Sequence, residues 1–117
     1  VGQPQPALAA LYQQHQTDCA CVITAFNPMG ELLEKDENIA RHVQLGHALG
    51  KAGFAVLPTV AQHPANGWPA EPGYLVIGLG RDDARQWAYE WEQLAVVWCD
   101  ADTVAQLVES NAPSWMR

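Results

Sequence analysis

The sequence predicts an α+β domain of the ferredoxin-like, split βαβ kind, and three observations lead there. Short apolar stretches and helical stretches follow one another in the order strand, helix, strand, strand, helix, strand, which is the βαββαβ pattern. The first strand, within Cys19–Phe26, is apolar almost throughout instead of alternating, so it needs cover on both faces. The 117 residues are 49% hydrophobic and include five tryptophans, enough to close one core in a single domain spanning 1–117.

Residues 1–6 carry two prolines and read as an entry loop. Ala7, Leu8, Leu11 and Tyr12 then recur at helical spacing, which predicts an extra N-terminal helix over about residues 7–14. The first strand ends at Asn27-Pro28, where proline has no N–H for a ladder, and Met29-Gly30 turns the chain. A helix is predicted from Asp36, as N-cap, to Ala52, with Gly53 stopping it. On a helical wheel Glu37, Gln44, His47 and Lys51 form its solvent stripe, while Ile39, Val43, Leu45, Leu49 and Ala52 fall in the packing arc. Asn38 and His42 also lie in that arc, and this is the chain's clearest departure from binary patterning.

Phe54–Val60 reads as a second strand, with Pro58 pointing to an edge position or a bulge. His63–Gly73, rich in proline, reads as a long irregular loop holding Trp68. Tyr74–Leu79 supplies the third strand. A helix over 84–92 follows, opened by a capping box of Asp83 and Gln86. Leu94–Cys99 is the fourth strand, and residues 103–108 favour a fifth that closes a hairpin over a short helix. The helices belong mainly on one face of the sheet. The second face of the first strand then needs the N-terminal helix, an upstream segment or a second subunit, so a homodimer is one expectation.

The net charge of −7 and pI of about 4.8 disfavour a phosphate backbone and suit either plain solubility or a basic protein partner. Three cysteines, Cys19, Cys21 and Cys99, do not make a disulfide scaffold, and cytoplasm is the expected compartment. No apolar run approaches the ~18 residues of a membrane-spanning helix. His42 and His47 point to different helix faces, so they are not a zinc pair, and no metal site is expected. No cofactor is expected either: Gly78-Leu-Gly80 lacks the third glycine of a dinucleotide loop, and Asp82 and Asp83 would repel a pyrophosphate. Ser110 and Ser114 lie in the tail outside any nucleophile motif.

Thr24-Ala25-Phe26-Asn27-Pro28, followed by Glu37-Asn38 and Arg41, carries a family resemblance. With Trp68 in the middle and Gln93 and Ala95 before the last strand, the chain resembles a bacterial family, domain-of-unknown-function family 3293, over roughly residues 1–108. Members of that family usually have a tyrosine-containing segment upstream. The chain starts at Val1-Gly2, so a trimmed N-terminus is expected. The resemblance brings no activity with it.

The candidate site is therefore Thr24, Asn27, Asn38, Arg41 and His42, with Trp68 as a roof. A short connection joins the end of the first strand to the start of the helix, so these side chains can meet and offer donors, acceptors and a fixed positive charge to a small polar ligand. Their plainer use is to satisfy backbone groups of the loop, with Arg41 paired to Glu34 or Glu37. A non-catalytic binding module for a protein partner or small polar ligand is the leading expectation. A small hydrolase- or transferase-like enzyme using Asn27, Asn38, Arg41 and His42 is the alternative, and it requires an open cleft and an unengaged Arg41. An inhibitor or immunity-type protein that covers a basic partner is a third.

Overall fold

The computed structural model describes residues 4–63 and 68–111, without the side chains at 30, 61–63 and 68–70. Its elements are α1 (Pro6–His15), β1 (Ala20–Ile23), a 3₁₀ turn (Pro28–Gly30), α2 (Lys35–Lys51), β2 (Ala55–His63), β3 (Trp68–Ile77), α3 (Arg81–Glu90), β4 (Ala95–Cys99) and β5 (Ala105–Glu109). The sheet order is β2-β3-β1-β4-β5 with every neighbouring pair antiparallel. The first four of these strands have the split βαβ arrangement that the element order predicts. β5 adds to it by folding back on β4 as a hairpin, with Val97 opposite Leu107.

Strand alternation sorts the two sheet faces. Cys21, Ile23, Val76, Val96, Trp98 and Val108 point to the face covered by α2 and α3, where Leu45, Leu49, Ala84 and Ala88 complete the core. Trp98 is buried there with its indole N–H donating to the Leu79 carbonyl at 2.9 Å, so the burial leaves no orphan donor. Ala20 and Cys99 face the other way, against Leu8 and Tyr12 of α1. The Tyr12 hydroxyl donates to the carbonyls of Cys99 and Asp100 at 3.1 and 2.9 Å, which pins the helix to the end of β4. α1 thus supplies the second cover that the apolarity of β1 demands, but at one end of the sheet.

Several local expectations are corrected. The stretch 63–73 is not one irregular loop: β3 starts at Trp68, which pairs with His63, and residues 64–67 lie outside the described residues. Pro72 is tolerated because β1 pairs with β3 only up to Ile23–Tyr74, so beyond that point β3 has a partner on one side alone. Glu34, not Asp36, precedes α2, and Gly80 precedes α3, neither with a side-chain cap bond, so the Asp83–Gln86 box does not form. Ile39 and Val43 are 42% and 47% exposed. The buried stripe of α2 is Asn38, Leu45 and Leu49, narrower than the wheel's apolar arc, and Ile39 and Val43 lie outside it.

Candidate functional site

β1 hands over to α2 through residues 24–34, and this connection is where polar side chains concentrate. Asn27 (φ 51°, ψ 64°) and Met29 (φ 53°, ψ 27°) both adopt left-handed backbone around Pro28. Asparagine tolerates that region and methionine does not, so the reversal is locally strained. It is held by a short bond from the Met29 N–H to the Glu92 carbonyl at 2.6 Å.

Asn27 and Asn38, both buried, form the centre of the brace. The backbone N–H of Asn27 donates to Asn38 Oδ1 at 2.8 Å, and Asn38 Nδ2 donates back to Asn27 Oδ1 at 2.9 Å. Asn27 Oδ1 also accepts the Leu33 N–H at 3.0 Å, while Asn27 Nδ2 donates to Glu71 Oε2 at 2.8 Å on β3. Thr24 Oγ1 accepts the Phe26 N–H at 3.0 Å and donates to the Pro72 carbonyl at 2.7 Å. These bonds join β1, β3 and the first turn of α2 into one unit.

Arg41 works on the other side of the loop. Its Nε donates to the Ala25 carbonyl at 2.8 Å, its Nη2 to the Trp91 carbonyl at 2.8 Å, and its Nη1 meets Glu92 at 3.3 Å. The expected partners Glu34 and Glu37 are replaced by Glu92 because the guanidinium lies over the end of α3. Gln93, buried beside it, donates from Nε2 to the Phe26 carbonyl at 3.2 Å.

His42 is separate again. Its ring stacks on Tyr74 (centroids 4.5 Å apart, 3° between planes) and meets Phe26 edge-on at 5.9 Å. Gly46 permits this stack: a Cβ there would stand 2.5 Å from Tyr74 Oη, whose hydroxyl donates to the His42 carbonyl. Among the described residues, His42 Nδ1 is the buried side-chain polar atom without a hydrogen-bond partner. Burial holds the imidazole below its ordinary pKa, in the neutral form.

The structure therefore brings Thr24, Asn27 and Asn38 together, sets Arg41 on the carbonyls of Ala25 and Trp91 and buries His42 Nδ1 beside an aromatic stack. The side chain of Trp68, expected as a roof, lies outside the described residues. Sequence reasoning missed the cleft beside the brace, of about 370 Å³, bounded by Phe26, Leu32, Leu33, Ile39 and Pro72, with Asn27, Asn38 and Lys35 also lining it. Leu32-Leu33 set inside the acidic stretch 31–37 was the available signal, because an apolar pair in a solvated run has to be used somewhere.

Chemistry is sparsely supplied. Cys21 is pushed up to about 12, first by burial and then by the neighbouring thiols. Burial also raises Cys19 and Cys99. Cys99 stands opposite Ala20, on the other sheet face from Cys21. No group of three or more metal-ligating side chains occurs among the described residues. No helix among them is long and apolar enough to cross a membrane.

The loop, its brace and the cleft fall inside residues 23–96, which match the model of the family described as "Protein of unknown function (DUF3293)". The chain belongs to that family. Thr24, Ala25, Asn27, Pro28, Asn38, Arg41 and Gln93, named in the family pattern, all sit on or brace the junction between β1 and α2, while Glu37 of the same pattern is exposed. No curated protein and no solved structure matches the chain significantly.

Proposed function

We propose that this DUF3293 protein is a non-catalytic binding module whose binding face is the cleft beside the Asn27–Asn38 brace. The observation that carries the reading is an apolar cleft kept open at the surface, with Leu32 61% and Ile39 42% exposed on its walls. A volume of about 370 Å³ lies at the small end of ligand pockets and accepts a compact apolar group. The polar side chains beneath it serve as scaffold, since their hydrogen-bonding groups are spent on the loop and on each other.

Two features speak for binding over catalysis. Three of the five N–H donors of the Arg41 guanidinium are spent on the Ala25 and Trp91 carbonyls and on Glu92, which ties its charge to bracing the junction. The thiols are held protonated, the wrong form for a nucleophile. The unpaired cysteines also suit a reducing, cytoplasmic setting.

Amide NMR of the full chain during titration with small apolar probes, indole among them, tests the reading. Shifts confined to residues 26, 32–39 and 71–73 are expected, and Leu32→Ser with Ile39→Ser removes them while the unfolding temperature stays within about 2 °C of the parent. Shifts elsewhere, or none, refute it.

A further inference from the structure

The apolar surface at the cleft is larger than the cleft. Leu32 and Ile39 are on its walls, and Val43, one helical turn beyond Ile39, continues the stripe outward at 47% exposure. A ligand small enough to sit inside would leave Val43 and much of Leu32 wet. A polypeptide lying across the mouth covers them and still inserts a side chain between Phe26 and Pro72.

The charge around that stripe has one dominant sign. Glu31 and Glu34 flank Leu32-Leu33 in the chain, and both are exposed. Asp36, also exposed, lies three residues before Ile39 and seven before Val43, so it shares their helix face. Lys35, which itself lines the cleft, is the single basic residue in 31–37, and the whole chain carries −7. Such a balance of charge in the surrounding surface disfavours an acidic ligand and steers a basic one.

We infer that the cleft is a docking site for a basic segment of a partner protein, which seats an apolar side chain between Phe26, Leu33 and Pro72 and sets lysine or arginine side chains against Glu31, Glu34 and Asp36. This rests on the cleft being the binding face.

Three short peptides test it on the full chain. Each carries one Leu-x-x-Leu pair, flanked by paired lysines in the first, glutamines in the second and glutamates in the third. Amide shifts of residues 32–39 report binding, at low and at high salt. The lysine peptide is expected to bind at least about tenfold more tightly than the glutamate peptide, and to lose most of that advantage at high salt. Glu31→Lys with Asp36→Lys, both exposed positions, is expected to reverse the order. Equal binding of all three peptides at the cleft would overturn the basic partner and leave the cleft as an apolar site. Shifts with indole but with no peptide would also overturn it, in favour of a small ligand. Silence from every probe would remove the binding face itself.

Discussion

Residues 24–34, between β1 and α2, and residues 78–80, between β3 and α3, occupy equivalent places in the two halves of the split βαβ fold. The second junction is close to minimal. Gly78 takes φ +85°, Gly80 opens α3 with no side-chain cap, and a Cβ on Gly80 would meet nothing within 4 Å. The first joins β1 to α2 with a 3₁₀ turn, two non-glycine residues in left-handed backbone and a brace drawn from Thr24, Asn27, Asn38, Arg41 and Gln93. Three residues suffice to make the connection in one half. The additional chain in the other half, with its strain and buried amides, is therefore not needed for topology. What it adds is the wall of the cleft: Leu32 and Leu33 belong to it. Strain held by a surrounding network is a recurrent mark of functional loops.

The largest expected contrast between the junctions comes from Arg41→Ala and Gly80→Ala. The first removes a charged donor from the carbonyls of Ala25 and Trp91 and is expected to cost about 2–4 kcal/mol in urea unfolding. The second is expected to change stability by less than about 0.5 kcal/mol, since Gly80 has open space and an ordinary φ of −70°. A near-neutral Arg41→Ala would erase the distinction.

A smaller effect sharpens it. His42 is held neutral below its ordinary value in the folded chain, so on acidification the unfolded chain takes up that proton first. The contribution of His42 is whole above about pH 6.5 and declines as pH falls through the window below it. His42→Phe keeps a ring against Tyr74 and is expected to flatten the slope of stability against pH just below about 6.5, measured by urea unfolding. An unchanged slope would remove His42 as a source of the acid sensitivity.

Much of this was legible in the residues. Strand order, the edge position of β2 and the N-terminal helix follow from apolar stretches and their punctuation, because burial on one face or two leaves a mark on the pattern. Asn38 and His42 stand out for the same reason, as polar residues inside a packing arc; Asn38 is hydrogen-bonded there, while His42 leaves Nδ1 without a partner. What the pattern did not show was direction. Arg41 was assigned to the nearest acids in sequence, yet it pairs with Glu92, a contact made across the fold. Ile39 and Val43 were placed in the core because a wheel gives angles around a helix and not the width of the surface the helix rests on. Glu71, which accepts from Asn27, lay in a stretch read as loop, where proline hid the strand.

Asn38 and Ile39 are neighbours on α2 in opposite settings: one is buried in the brace, the other exposed on the cleft. The direct measurement is the unfolding free energy of Asn38→Ala and Ile39→Ser side by side. Asn38→Ala is expected to lose about 2–3 kcal/mol, because it strips the Asn27 N–H and Asn27 Oδ1 of a buried partner, while Ile39→Ser is expected to lose less than about 1 kcal/mol. A stable Asn38→Ala beside a destabilised Ile39→Ser would contradict the assignment of scaffold and binding face.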